Sequence, residues 1–159
     1  MNKILFLPIS AFLLYSATAS ANQNIEPSIL KTNLLGSWNC LTSLEEDDFS
    51  MIIETEDTYV RNGRSNSFGT LKAKFAEELP EIEYSIGATG TWEILDGYLV
   101  DTLTDIKVVN ISHPEFDSVF NLQDFFPTNI SFSSEVIELT KSKLTLKSES
   151  DESIYECER

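Results

Sequence analysis

The stretch EIEYSIGATGTWEIL, residues 81–95, decides the fold because apolar and polar residues alternate along it. A period of two over this length is typical of a long β-strand with one buried face and one solvated face. Two glycines, Gly87 and Gly90, would let such a strand bend, as strands that close a barrel must. The predicted inner face holds Ile82, Tyr84, Ile86, Ala88, Gly90, Trp92 and Ile94.

The strand that follows is joined by a tight turn. Asp96-Gly97 is a two-residue hairpin signal, and residues 98–110 then form the return strand. The same alternation predicts that its inner face holds Tyr98, Val100, Thr102, Thr104, Ile106 and Val108.

Upstream, shorter alternating runs predict strands at about 36–43, 49–56 and 58–61, with a further strand resuming near 66. Asn62-Gly63 predicts a two-residue hairpin, because both residues tolerate positive φ. Phe68 and Leu71 would fall on opposite faces of a regular strand, so we expect a bulge at Gly69 between them.

Downstream, Ser112-His113-Pro114-Glu115 is a capping box that predicts a short helix ending before Pro127. Runs at 130–139, 143–147 and 153–157 complete a set of about eight or nine strands, which favours a barrel or a sandwich. We therefore predict an all-β domain, an antiparallel up-and-down barrel of about eight strands with one short helix between strands. The apolar helix face would be Phe116, Val119, Phe120, Gln123 and Phe126.

The first residues predict export. Lys3, an apolar run over 4–15 and the small residues Ala19-Ser20-Ala21 are typical of a signal peptide, residues 1–21. The run is too short to span a bilayer, although an uncleaved anchor is the alternative. We expect residues 22–33 to be a flexible lead-in and residues 34–159 to be the barrel domain of a periplasmic or secreted protein without a transmembrane span.

Two cysteines occur, Cys40 near the start of the domain and Cys157 near its end. An even count in an exported chain predicts one disulfide, and two buried free thiols are the alternative. A Cys40–Cys157 bridge would tie the first strand to the last and close the barrel.

The net charge of −15 at pH 7 restricts the partners. Phosphate backbones and anionic membranes repel such a chain, so nucleic acid is not an expected partner. A basic exported protein remains compatible, while the simplest role of the charge is solubility. The acidic run Glu45-Glu46-Asp47-Asp48 lacks turn glycines and spaced ligands, so we interpret it as a solvated loop and not as a cation site.

No catalytic arrangement is visible. His113 is the only histidine, which leaves no second histidine for a zinc site and no free cysteine for a Cys–His pair. Glycine-rich phosphate loops and nucleophile elbows are also absent. Glu81, Glu83 and Glu93 share a wet strand face, so a hydrolase built on a carboxylate pair is a remote alternative. We expect no enzyme activity, no cofactor and no metal.

Gly36-Ser37-Trp38, on the first strand, resembles the G-x-W motif of the lipocalins. The chain is also similar to small bacterial secreted proteins that begin with G-x-W-x-C and end with C-x-R. The resemblance implies an eight-stranded barrel whose base is closed by Trp38, with Arg159 packed over the indole. Two features depart from the family: the helix interrupts the strands instead of following the eighth, and Gly90-Thr91-Trp92 repeats the motif.

The function that this reading favours is a binding protein that holds a small, partly apolar ligand inside the barrel. One alternative is an acidic barrel that binds a protein, such as an inhibitor of a cationic exported enzyme like lysozyme; another is an envelope protein with a solid barrel. Asn110 and Asn129 begin sequons that matter only in a glycosylating host. The expected ligand-binding residues are Tyr84, Ile86, Trp92, Tyr98, Val100, Thr102, Phe116 and Phe120.

Overall fold

The computed structural model describes residues 27–46, 49–118 and 121–159, so the predicted signal peptide lies outside the described residues. One α-helix and eight strands are found in this part of the chain, with two 3-10 helices between β5 and β6. The elements are α1 (Pro27–Leu34), β1 (Gly36–Glu46), β2 (Phe49–Val60), β3 (Arg64–Lys74), β4 (Ile82–Leu95), β5 (Tyr98–Asn110), the 3-10 helices Pro114–Ser118 and Leu122–Phe125, β6 (Ile130–Leu139), β7 (Lys143–Ser148) and β8 (Ile154–Glu158).

The eight strands form a closed barrel in sequence order, and every neighbouring pair is antiparallel. This confirms the predicted all-β, up-and-down barrel. The seam between β1 and β8 is short, since only Asn39, Cys40 and Leu41 have partners on β8. Cys40 lies directly opposite Cys157 there, and the two form the predicted disulfide.

The two predicted hairpins have different turns. Asp96 and Gly97 have φ of 50° and 89° and join β4 to β5 as the predicted two-residue turn. The β2–β3 connection has three residues, because Val60 pairs with Arg64 and only Gly63 has a positive φ, 78°. The two-residue prediction for Asn62-Gly63 is therefore wrong, and the two short strands predicted before it are one strand, β2.

The predicted bulge at Gly69 is also wrong, because the β2–β3 register runs without a shift through Thr55 and Gly69. The glycine is required by close packing: a Cβ there would lie 1.9 Å from the carbonyl oxygen of Glu54. Phe68 breaks step with Leu71 because it faces outward, 68% exposed, beside Gly87 on β4. A Cβ on Gly87 would lie 4.0 Å from the Phe68 ring.

These two glycines give a matched test of packing. We expect Gly69→Ala to lower the free energy of unfolding by about 1–3 kcal/mol, since β2 and β3 must move apart to accept the methyl group. Gly87→Ala, in ordinary contact with one ring, is expected to change it by less than about 0.5 kcal/mol. Urea denaturation of both variants measures the difference, and equal effects would contradict the close approach at Gly69.

A bulge does occur further along, where the β4–β5 register shifts between Thr89 and Gly90. It reverses the faces of the first half of β5. Leu99 is 1% exposed in the core and Asp101 accepts hydrogen bonds inside the barrel, whereas Ile106 and Val108 keep the predicted inward direction. The predicted inner positions Tyr98, Val100, Thr102 and Thr104 therefore lie on the outer face of β5.

Residues 27–34 form helix α1 where the sequence predicted a flexible lead-in. Leu30 and Leu34 are buried in the barrel core, which explains why this segment is ordered. The indole N–H of Trp38 donates to the carbonyl oxygen of Leu34 at 2.8 Å. The helix is thereby fixed to the first strand.

The predicted helix after β5 is replaced by two 3-10 helices. Ser112 does not act as its cap; its hydroxyl accepts the backbone N–H of Glu83. Asn110 instead accepts the N–H of His113 and donates to the His113 carbonyl and to Asp117, which turns the chain before a helix can start.

The second 3-10 helix covers a strand edge. β6 pairs with β5 only over residues 98–103, so the later part of β5 has no β6 partner. The Gln123 side chain lies beside this edge: its amide oxygen accepts the N–H of Val108 at 2.7 Å, and its amide nitrogen donates to the carbonyl of Ile106 at 3.2 Å.

The core has two parts. The lower cluster surrounds Trp38 and the disulfide, and the upper cluster is packed against Phe116 and Phe126 from the 3-10 region. The lower cluster consists of Leu30, Leu34, Trp38, Tyr59, Trp92, Ile94, Leu99, Leu139, Leu144, Leu146 and Cys157; the upper cluster consists of Leu71, Ala73, Ile82, Tyr84, Ile86, Val108 and Leu122.

Candidate functional site

A partly open cavity of about 150 Å³ lies inside the barrel at the level between the two clusters. Its wall is mixed: hydroxyl and carboxyl groups come from β2, β3 and β5, and apolar groups come from β4, β5 and β6. The inward side chains that line it are Asp57, Tyr59, Ser65, Ser67, Ala88, Asp101, Leu103 and Phe132.

Strand register brings the polar groups together. Asp57 lies opposite Ser67, and Tyr59 lies opposite Ser65, so these four side chains share the inner face of β2 and β3. Asp101 joins them from β5 because of the bulge beside Gly90. Gly90 itself faces Ser65, whose hydroxyl would lie 3.0 Å from a Cβ at that position.

Both carboxylates accept hydrogen bonds from hydroxyl groups. Ser67 donates to Asp57, while Ser65 and Tyr59 donate to the two oxygens of Asp101 at 3.3 and 3.4 Å. The bonds to Asp101 are long, since O–H···O distances in proteins centre near 2.7–2.8 Å. A carboxylate can accept about four hydrogen bonds, so Asp101 retains capacity to accept further bonds beside these two.

Tyr59 is itself held in place by its neighbours. It is buried, and its ring meets Trp92 edge to face with centroids 5.8 Å apart. The Trp92 indole N–H donates to the carbonyl of Val60, which fixes that ring in turn. Burial, together with the charges of Asp101 and Asp57, raises the pKa of Tyr59 well above its ordinary value, so its hydroxyl remains a donor at neutral pH.

Burial also changes the acids. It raises the pKa of Asp101 from 3.8 to about 6; the charge of Asp57 adds to the increase, and the hydrogen bonds from Ser65 and Tyr59 oppose it. Burial likewise raises the pKa of Asp57, against the hydrogen bonds from Ser67 and Thr55. In the part of the chain that the structure describes, the side-chain ion pairs belong to Lys143 and Lys147 on β7, and neither lysine lines the cavity.

Phe132 marks the mouth of the cavity. It lies opposite Asp101 on β6 and so shares the inward face, yet 49% of it is exposed. β7 begins to pair with β6 only at Ser134, so no β7 strand covers the wall beside Phe132. The exposed ring therefore lies where the interior meets solvent.

The predicted ligand-binding residues are distributed differently. Tyr84 and Ile86 lie in the upper cluster, Trp92 lies in the lower cluster, and Phe116 packs on the upper cluster from outside. Tyr98 and Val100 are on the outer face of β5. Thr102 borders the cavity, but its hydroxyl is bonded to Ser131 on the outer face. Phe120 lies outside the described residues.

The predicted structural residues do meet at the base. The Arg159 guanidinium carbon lies 4.0 Å from the centre of the Trp38 ring, as the lipocalin resemblance implied. The guanidinium also donates to the carbonyl oxygens of Leu35, Asn33 and Lys141. These bonds join the end of the chain to the end of α1, to its connection with β1 and to the turn between β6 and β7.

Sequence reasoning missed the acidic part of the site. Asp57 lies on the same alternating face of β2 as Met51 and Ile53, which is the inner face. A carboxylate on this otherwise apolar face was a feature of the sequence that could have identified it. Asp101 could not be identified in this way, because the alternation of apolar and polar residues along β5 does not reveal the bulge that turns this residue inward.

Within the described residues, no group of three or more histidine, cysteine or acidic side chains could hold a metal ion. A helix long and apolar enough to cross a membrane is likewise not found in that part of the chain.

No family model matches this chain, and no curated protein matches it. The closed eight-stranded barrel is compatible with a lipocalin-like fold.

The raised pKa of the partly buried Asp101 should make the stability of the fold depend on pH. As pH rises from about 4 to about 6, the unfolded chain loses this proton while the folded chain keeps it, so the free energy of unfolding falls and stays lower above pH 6. We expect Asp101→Asn to be more stable than wild type by about 2 kcal/mol at pH 7 and by almost nothing at pH 3.5. Urea denaturation at both pH values tests this, with the exposed Asp105→Asn as the control; a difference independent of pH would contradict it.

Proposed function

We propose that this chain is an exported, lipocalin-like binding protein that holds a small, partly apolar ligand inside its barrel. The observation that carries the proposal is the cavity between two packed apolar clusters, lined by carboxylates, hydroxyls and apolar side chains. Small-molecule sites in proteins commonly combine an apolar wall with a few polar groups that fix orientation.

The cavity limits the size of the ligand. A volume of about 150 Å³ is comparable to that of an engineered cavity that accepts benzene. The enclosed part of the ligand is therefore about the size of one six-membered ring, with Leu103 and Phe132 as its apolar neighbours. Larger ligands would have to extend through the mouth beside Phe132.

The proposed role is binding and not catalysis. The Ser65, Ser67 and Tyr59 hydroxyls all donate to carboxylates, and none has an imidazole beside it. His113, the only histidine, lies in the loop after β5, where it contacts Ser112 and Phe116. A hydroxyl nucleophile would need an adjacent base to be activated.

Export is supported by the disulfide, since such bonds persist in oxidising compartments, and by the signal-like residues 1–21. Export is tested by determining where the full chain is located in its host and how long the mature chain is. We expect it in the periplasm or the medium, shortened by the first 21 residues.

Ligand binding is tested by screening the purified protein against a library of small fragments by saturation-transfer NMR. We expect ring-sized fragments to bind, and we expect Leu103→Trp, which fills the cavity, to abolish their signals. Val109→Trp, on the exposed face of the same strand, is the matched control and should bind normally. Fragments that bind both variants equally, or a complete absence of bound fragments, would refute an interior site.

A second candidate function rests on the outer surface. Leu41 and Phe68 are 53% and 68% exposed and line a shallow groove across β1, β2 and β3, beside Glu54 and Glu56. Exposed apolar groups flanked by carboxylates suit a basic protein partner, such as a cationic enzyme. Mixing with lysozyme tests this: inhibition that high salt removes and Phe68→Ser weakens would support it, and unchanged activity would refute it.

A further inference from the structure

We propose that the ligand of the interior cavity is a small organic amine in its ammonium form, with its nitrogen at Asp101 and Asp57 and its carbon body against Leu103 and Phe132. This inference rests on the binding function proposed above and adds the chemical class of the ligand.

The cavity carries negative charge without a protein cation beside it in the described residues. Two carboxylates line one cavity inside the barrel, and the ion-paired lysines of the described residues are on β7, away from it. Carboxylates removed from water are costly unless a cation or several strong hydrogen bonds compensate them. Here the donors are hydroxyl groups, which carry no positive charge.

Asp101 has unused capacity to accept hydrogen bonds. The two bonds that Asp101 accepts, at 3.3 and 3.4 Å, are too long to use its oxygens fully. An ammonium group carries three donors and no acceptor, so it matches a site made of carboxylate oxygens. Charge-assisted bonds of this kind are shorter and stronger than bonds between neutral groups.

Apolar side chains line the cavity beside the two acids. Leu103 and the inward-facing, half-exposed Phe132 provide an apolar wall that an inorganic ion cannot use. Calcium takes six to eight oxygen ligands. Among residues 27–46, 49–118 and 121–159, no group of three or more histidine, cysteine or acidic side chains could hold a metal ion. An organic cation with a short apolar body uses both parts of the wall.

Three probes of equal size and different charge separate these effects: benzylamine, benzyl alcohol and benzoate. Titration calorimetry at pH 7.5 is expected to give benzylamine an affinity at least about tenfold higher than that of benzyl alcohol, since a hydrogen bond to a charged group is stronger than one between neutral groups. Benzoate is expected not to bind, because its charge is repelled by both acids.

Two variants assign the effect to the site. Asp101→Asn should remove the preference for benzylamine while leaving the binding of benzyl alcohol, and Asp105→Asn on the outer face of β5 should change neither. The titratable groups that face Asp101 are Asp57 and Tyr59. Because the pKa of Asp101 is about 6 and Tyr59 stays protonated, the benzylamine affinity should fall as the pH is lowered from 7.5 to 5.

The outcomes distinguish the two proposals. Benzyl alcohol binding as tightly as benzylamine, with both blocked by Leu103→Trp, would overturn the amine class and support the interior site. Binding of benzylamine that Asp101→Asn leaves unchanged would also overturn the amine class. If no probe binds, or if binding is unaffected by Leu103→Trp, both the amine class and the interior binding function are refuted.

Discussion

Replacing Cys40 and Cys157 together by alanine is expected to lower the free energy of unfolding by about 4–5 kcal/mol, the largest effect that we predict. The bridge spans 117 positions, so its loss frees a very long loop in the unfolded chain. It also lies where the strand pairing of the barrel is shortest, since only three residues of β1 pair with β8.

The measurement is thermal or urea unfolding of the double variant and of wild type with and without a reductant. We expect the midpoint of thermal unfolding to fall by roughly 10–20 °C, with the reduced wild type behaving like the variant. Oxidised and fully reduced wild type unfolding at the same temperature would contradict this, once thiol labelling has shown that the bridge was broken.

Trp38→Ala is the second large effect, an expected loss of about 3–5 kcal/mol. The side chain is 0% exposed and belongs to the lower cluster. Its removal leaves a cavity, deprives the Leu34 carbonyl of its 2.8 Å donor, and takes away the ring beneath Arg159. Three interactions of α1, β1 and the chain end are therefore lost in one substitution.

Two comparisons separate these contributions in urea denaturation. Phe68→Ala removes an aromatic ring that is 68% exposed, and we expect it to cost less than about 1 kcal/mol. Arg159→Met keeps much of the packing over Trp38 but removes the charge and three hydrogen bonds to carbonyl groups, so an intermediate loss is expected. A Trp38→Ala variant as stable as Phe68→Ala would show that the base of the barrel is not closed by this residue.

The barrel itself could be predicted because its information is local and periodic. The alternation along β4 and the Asp96-Gly97 turn specified the longest hairpin, and the two cysteines identified which strands close the sheet. The contact between Trp38 and Arg159 came from the resemblance of the two chain ends to the lipocalin pattern.

The candidate site could not be predicted in the same way. One extra residue on β5, opposite Thr89 and Gly90, exchanges the inner and outer faces of the first half of this strand. Asp101 therefore faces inward, where the alternation had predicted that its neighbours would face. Helix α1 was missed because its anchors, Leu30 and Leu34, are only two apolar residues in a polar segment. The helix after β5 was overpredicted because side-chain bonds of Asn110 compete with the cap that Ser112 would have provided.

The Gln123 side chain has a consequence for the solubility of this barrel. An uncovered strand edge exposes N–H and C=O groups that can pair with a strand of another molecule and begin aggregation. On β5, one amide group occupies the N–H of Val108 and the carbonyl of Ile106, as an additional strand would. A single side chain thus occupies one donor and one acceptor that a strand of another molecule would need, at the place where the barrel's own sheet stops short.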